Sequence, residues 1–148
     1  MEVREARKED LEQLLWLYAQ FPDNSVPLID EKLQVLWNHI VTDSFQHLIV
    51  GEKDGRLVTS CVITVIPNLT HFQKPYALVE NVITDSAFRK KGYATAVLDF
   101  AKKLAVKEGC YKIMLLTGSK LESTLNFYRK AGYNSNDKTA FIQWLCKK

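Results

Sequence analysis

The chain has 148 residues, enough for one domain of ordinary size that buries about two-thirds of its unfolded surface. It is 47% hydrophobic and 25% charged, a soluble globular composition, and a net charge of +3 is too mild to argue for nucleic acid. No apolar run approaches the roughly 18 residues of a membrane span. The charged start, MEVREARKED, lacks a signal-peptide core, so the cytoplasm is the expected compartment. Cys61, Cys110 and Cys146 are an odd number without metal-like spacing; Cys61 and Cys110 sit in apolar segments and read as small core residues, and no metal site is expected. No repeat, low-complexity stretch or linker divides the chain, so residues 1–148 are expected to form a single domain.

Met1 to Arg7 alternates weakly and reads as a first strand. Leu11, Leu14, Leu15 and Tyr18 follow helical spacing behind an acidic first turn at Glu9 and Asp10. Phe21-Pro22-Asp23-Asn24-Ser25 breaks that helix. Ile29, Leu33, Leu36, Trp37 and Ile40 mark a second amphipathic helix with Asp30 as its cap. Phe45–Glu52 and Arg56–Ile66 are strands, joined by Lys53-Asp54-Gly55 in a hairpin. Pro67 to Pro75 is a loop carrying His71, and Tyr76 to Thr84 is the fourth strand. After a long helix, Lys107-Glu108-Gly109 is a stop signal. Tyr111–Thr117 is a short strand, parallel to the fourth by the size of the strand–helix–strand unit. Ser119 and Glu122 read as a capping box for a last helix with Leu121, Leu125, Phe127 and Tyr128, stopping at Gly132. Thr139 to Leu145 reads as a final strand, with one more short strand near Tyr133 as an option. The expected class is α/β, a mixed, mostly antiparallel sheet of six to seven strands with four helices on its two faces.

The stretch from Leu78 to Ala105 organises the rest. A strand with Glu80 and Asn81 inside it feeds a turn of three consecutive cations, Arg89, Lys90 and Lys91. Gly92 follows, and Tyr93, Val97, Phe100, Ala101 and Leu104 recur at helical intervals. Such a turn aims backbone N–H groups, the positive end of a helix dipole and three side-chain charges at one spot, which suits a polyanion and best a pyrophosphate. Gly92 lets the backbone approach a phosphate without a Cβ in the way. The pattern Arg89-x-x-Gly92-x-Ala94 is neither a Rossmann nor a P-loop fingerprint. Taken alone it also fits a solvated turn.

Two motifs, in order and at the right separation, carry a resemblance. VENVITDSAFRKKGYATAVL resembles motif A of the GCN5-related N-acetyltransferases. LNFYRKAGY, from Leu125 to Tyr133, resembles their motif B. The resemblance covers the whole length, the first 45 residues by element order alone. It implies a sheet whose parallel strands four and five splay apart, a bulge in strand four, and acetyl-coenzyme A as co-substrate in the cleft. Val82, Ile83 and Thr84 would face the pantetheine arm and thioester, with an N–H near Ile83 on the thioester oxygen. Arg89, Lys90, Lys91, Gly92, Tyr93, Ala94 and Thr95 would cradle the pyrophosphate. Ala94 stands where glycine is commoner; helical φ tolerates it. Many members carry asparagine seven residues before the motif B tyrosine, and here that position is Leu121.

The implied reaction is direct acetyl transfer to a primary amine, of a small molecule in the first reading. The amine, with an ordinary pKa of about 10.4, must lose a proton, and the leaving thiolate must gain one. Tyr128 is the expected acid, against a core-aromatic alternative. Glu80 is either the base, directly or through water, or a structural carboxylate paired with a cation; His71 and Asp23 are reserves, and some relatives use water chains. Glu80, Val82 and Thr84 share a face only if the bulge leaves the strand alternation uninterrupted. A non-catalytic acyl-coenzyme A binder and a protein-lysine or N-terminal acetyltransferase stay open as alternatives. A nucleic-acid module would need a broad basic face that the scattered cations do not make. Relatives dimerise through the late strands, so Phe141, Ile142 and Trp144 serve either a homodimer or the core. Tyr18, Phe21, Trp37 and Phe72 either line an apolar or cation-binding acceptor pocket or simply pack the core.

Overall fold

The computed structural model describes residues 1–145; Cys146 lies outside them. In chain order the elements are β1 (Glu2–Glu5), α1 (Leu11–Tyr18), α2 (Glu31–Thr42), β2 (Gln46–Lys53), β3 (Arg56–Ile66), a one-turn α3 (Thr70–Gln73), β4 (Tyr76–Thr84), α4 (Tyr93–Lys107), β5 (Ile113–Leu115) and α5 (Glu122–Lys130). The sheet runs β1-β2-β3-β4-β5, antiparallel throughout except for the parallel pair β4–β5. Two compact units divide the chain, one from Met1 to Leu115 and one beginning at Leu116. Among the described residues no helix is long and apolar enough to cross a membrane.

Local chemistry explains most boundaries. Asp30 caps α2 by accepting the Leu33 N–H at 2.8 Å. Asp54 and Gly55 connect β2 to β3 with φ of 53° and 76°. Two positive φ values in succession make the turn whose twist matches a hairpin, and Asp-Gly tolerates both. Gly109 and Gly132 follow α4 and α5 with φ of 72° and 93°, the left-handed stop that glycine permits.

The core sits on both faces of the sheet. Leu14 and Trp37 pack with Leu48, Val50, Leu57 and Val62 under α1 and α2. Cys61, the neighbour of Val62, points the other way, its thiol 3.6 Å from the Val97 carbonyl of α4. Burial pushes that thiol up to about 12, so Cys61 is an inert core residue; Cys110 is only half-buried.

Three expectations are corrected. First, the sheet has five strands among the described residues, not six or seven. Residues 139–145 form no strand, and Phe141 and Leu145 are each 92% exposed. A short apolar segment needs a partner edge before it becomes a ladder. Second, the capping box expected from Ser119 and Glu122 does not form. The N-cap of α5 is Leu121; the Ser119 Oγ instead accepts the Leu121 N–H at 3.3 Å, and Glu122 pairs with Arg129 at 2.7 Å. Serine two residues ahead of its donor makes a local turn rather than a cap. Third, there are five helices among the described residues rather than four. The fifth, α3, lies in the Pro67–Pro75 loop, where His71, Phe72 and Gln73 have φ of 54°, 59° and 57°. Left-handed backbone costs about 1–2 kcal/mol per such residue, which keeps this turn to one. The His71 ring stacks on Tyr111 at 4.1 Å, and Asn68 Nδ2 donates to the Thr70 carbonyl at 3.1 Å.

Candidate functional site

The site begins with a register slip. On β3, Ser60 opposes Ile83 and Val62 opposes Glu80, so two steps along β3 match three along β4. The extra residue bulges from β4 at Asn81, which has φ of 52°. Asparagine is among the few side chains that accept this conformation. The bulge resets which side chains share a face. Val62 belongs to the core beneath α1 and α2, and the Ser60 Oγ lies 3.2 Å from the Tyr18 hydroxyl on that same side. Their partners Glu80 and Ile83 therefore lie on the α1–α2 face. Thr84, whose hydroxyl lies 2.8 Å from that of Thr59, falls on the opposite face with Val82. The alternation is interrupted, and Glu80 does not share a face with Val82 and Thr84.

The parallel ladder with β5 covers only Ala77, Leu78 and Val79. From Glu80 to Thr84, β4 is paired in the sheet with β3 alone. The Asp85 N–H donates to the Val58 carbonyl at 2.9 Å, and the Ile83 carbonyl accepts from the Thr59 hydroxyl at 2.8 Å, so residues 83 and 85 turn their backbone toward β3. Strand alternation turns the N–H groups of Val82 and Thr84 the other way, toward the edge without β5. Such donors want an acceptor.

Beyond Thr84 the chain makes a tight polar turn into α4. Lys90 has φ of 60° and Gly92 has φ of 79°. The Gly92 carbonyl accepts the first helical bond, from the Ala96 N–H at 3.1 Å. The amides of Gly92, Tyr93, Ala94 and Thr95 have no partner within the helix, as at any helix start. A Cβ on Gly92 would meet nothing within 4 Å. Glycine is required here by its φ, and the space beside it is open. Ala94 sits inside the first turn of α4, where its methyl is tolerated.

One strand–turn–helix therefore carries Glu80, the Val82–Thr84 segment and the Arg89–Thr95 turn. Glu80 is exposed, and its side chain makes no hydrogen bond or ion pair among the described residues. Ile83 is 6% exposed, while Val82 and Thr84 are half-buried. Arg89 Nε lies 3.4 Å from the Thr84 carbonyl, and Lys91 Nζ lies 3.3 Å from that of Ala87. Tyr128 belongs to the second unit, on α5, with its ring 5.0 Å from Phe127 and edge-on to Tyr133 at 6.3 Å. Tyr18, on α1, brings a hydroxyl to the α1–α2 face, 3.2 Å from the Ser60 Oγ. Burial pushes its hydroxyl up to about 12, so it stays a neutral donor and acceptor. Asp85 and Arg56, which pin the turn, carried no signal in the sequence, because their ion pair joins positions 29 residues apart.

Over residues 8–133 the sequence matches the family described as Acetyltransferase (GNAT) family. A glucosamine 6-phosphate N-acetyltransferase of Trypanosoma brucei brucei is 28% identical over 99 residues, which is 67% of this chain and 63% of that protein. That match thus spans less than two thirds of the relative's length. Among solved structures, an Agrobacterium tumefaciens str. C58 protein assigned as an acetyltransferase superimposes with a TM-score of 0.89 at 30% identity, covering 97% of this chain and 100% of that one. A transcriptional regulator from Bacillus halodurans C-125 does so with a TM-score of 0.85 at 26% identity, covering 97% and 99%.

Proposed function

The chain belongs to the acetyltransferase (GNAT) family, and from that premise we propose that it transfers the acetyl group of acetyl-coenzyme A directly to a primary amine of a small cytoplasmic molecule, as one N-acetyltransferase domain spanning residues 1–148. The observation that carries this reading is continuous. An unladdered, bulged strand edge offers N–H donors and runs straight into a turn built for a polyanion. The distance constraint of coenzyme A, a thioester at one end and a pyrophosphate part-way along, matches a donor edge followed by an anion turn.

In this reading Arg89, Lys90 and Lys91, with the amides of Gly92, Tyr93, Ala94 and Thr95, hold the pyrophosphate of the co-substrate. The segment Val82–Thr84 lies along the pantetheine arm. The N–H groups of Val82 and Thr84 are the donors for the thioester oxygen as it becomes an oxyanion, which refines the expected position at Ile83 by one residue. The amine nitrogen attacks the thioester carbon, the carbon–sulfur bond breaks, and the sulfur takes a proton from the Tyr128 hydroxyl. Glu80 takes the proton the amine gives up, directly or through water. An exposed carboxylate without a cation partner also attracts an ammonium group, which favours a cationic acceptor. The Trypanosoma relative's amino-sugar substrate supports a small-molecule amine as the class.

The test is calorimetric titration with acetyl-coenzyme A, desulfo-coenzyme A and ADP, followed by a thiol-release screen of amines that includes glucosamine 6-phosphate, aminoglycosides and lysine peptides. Binding of the first two ligands at micromolar concentration, weak ADP binding and turnover with a small amine are expected. Binding without thiol release from any amine supports the acyl-coenzyme A binder instead. Turnover with peptides alone moves the acceptor class to proteins. Replacing Arg89 and Lys91 together by alanine is expected to weaken coenzyme A binding by about 1–3 kcal/mol; unchanged affinity removes the cradle assignment.

A further inference from the structure

The turn that bears the cradle hangs from one carboxylate. Asp85 follows the last residue of β4 and is still held to the sheet through its N–H on the Val58 carbonyl. Its Oδ1 accepts the Ala87 N–H at 2.9 Å, and its carbonyl accepts the Phe88 N–H at 2.8 Å. Its Oδ2 takes Arg56 Nη2 at 2.6 Å. The Asp85 side chain is 6% exposed and that of Arg56 is 62% exposed. From that pair the Arg56 guanidinium reaches over the Phe88 ring at 5.6 Å, and the Lys91 ammonium lies 4.9 Å from the same ring. A buried carboxylate thus shapes residues 85–88, and Phe88 is the surface against which Lys91 rests.

This arrangement has an electrostatic cost. A carboxylate placed beside an anion-binding turn repels the anion, and little water reaches it to screen the field. Arg56 is the group that cancels it. We infer that Arg56 and Asp85 form the positioning pair of the cradle: Asp85 shapes the turn through Ala87 and Phe88, and Arg56 neutralises the carboxylate that this shaping requires, so that the pyrophosphate meets only positive charge. Neither residue needs to touch the co-substrate. The inference rests on the coenzyme A reading above and adds the residues that tune its affinity.

Charge compensation is separable from packing by a double replacement. Arg56→Met keeps an apolar chain over Phe88 and leaves Asp85 uncompensated. Asp85→Asn keeps the Oδ1 acceptor for Ala87 and removes the charge. Desulfo-coenzyme A is titrated into the wild type, R56M, R56K and the double variant R56M/D85N, with thermal unfolding of each as a check on folding. R56M is expected to bind roughly tenfold more weakly, since a desolvated charge has lost its partner. R56M/D85N is expected to return to within about threefold of wild type, and R56K, which keeps the charge, to stay within about threefold too. Full affinity in R56M overturns the inference. So does a double variant that binds as weakly as R56M, because packing or turn shape would then explain the loss. If the wild type itself fails to bind, the coenzyme A reading falls and takes the pair's role with it, a result distinguishable from the other two.

Discussion

At the scale of single residues, two positions separate conformation from chemistry. Gly92 has φ of 79° and open space where a Cβ would stand, so a side chain there is opposed by backbone strain and not by a clash. Gly92→Ala is expected to destabilise the fold by about 1–2 kcal/mol in urea unfolding, a figure set by left-handed backbone in a non-glycine residue. It should also weaken coenzyme A binding, because relaxing the turn moves the amides that follow. Tyr128→Phe removes one hydroxyl and no ring. If Tyr128 is the acid, turnover falls far more than coenzyme A affinity; equal turnover ends that role. Tyr128 was readable only as part of a motif, since an aromatic on a helix is ordinarily a core residue. Gly92 was readable from local turn chemistry, because three cations and a glycine ahead of a helix act through the backbone of their own neighbours. Asp85 and Arg56 were not, since nothing near either residue announces a partner on another strand.

At the scale of elements, the bulge in β4 decides which side chains meet. It turns Glu80 and Ile83 to the α1–α2 face and frees the strand edge that follows. Asn81 makes the bulge affordable at φ of 52°. Asn81→Val places a β-branched residue in left-handed backbone and is expected to cost about 1–2 kcal/mol, whereas Asn81→Gly should be close to neutral. Parallel urea titrations decide it, and equal losses would show that the side chain rather than the φ matters. The resemblance to motif A implied a bulge in this strand, but the residue composition of VENVIT did not locate it. A bulge is a relation between two strands, and only the register of β3 against β4 contains it. The last helix errs in the opposite direction. Ser119 and Glu122 fit a capping box by spacing, and the helix starts two residues later, at Glu122, with Glu122 drawn to Arg129 instead.

At the scale of the whole first unit, one ion-pair network ties the N-terminal strand to the sheet and to α1. Arg4 donates to Asp10 at 2.7 and 2.9 Å and to Glu52 at 2.7 Å, and the Asp10 Oδ2 also accepts the Arg7 N–H at 2.6 Å. Burial pushes the Asp10 carboxyl up, but the Arg4 and Arg7 bonds outweigh it and hold the group below the usual carboxylate range. Because the folded-state value is depressed, the stabilisation is fully present above the ordinary carboxylate value. It is lost as pH falls through the lowered one. Stability should therefore drop on acidification in the wild type, and Asp10→Asn should be less stable at neutral pH but flatter across the acid range. Asp10→Ala leaves Arg4, 11% exposed, without its main partner, and is expected to cost on the order of 3 kcal/mol. Urea midpoints measured as a function of pH test both; parallel curves for wild type and D10N would mean that Asp10 contributes no linkage.

What the sequence by itself determined is whatever depends on neighbours in the chain. It set the order of strands and of the four longer helices, though not the one-turn α3, together with the Asp54-Gly55 hairpin, the Asp30 cap and the basic turn opening α4, because turns, caps and periodic faces are interactions among residues a few positions apart. Only the tertiary structure decided what depends on strands meeting: the place of the bulge, the face on which Glu80 lies, the end of the β4–β5 ladder at Val79, and the Arg56–Asp85 pair at the foot of the basic turn. The same reason explains the strand at residues 139–145 that was expected and is not formed. A short apolar run is compatible with a strand, but its backbone donors and acceptors become a ladder only when another edge is there to receive them.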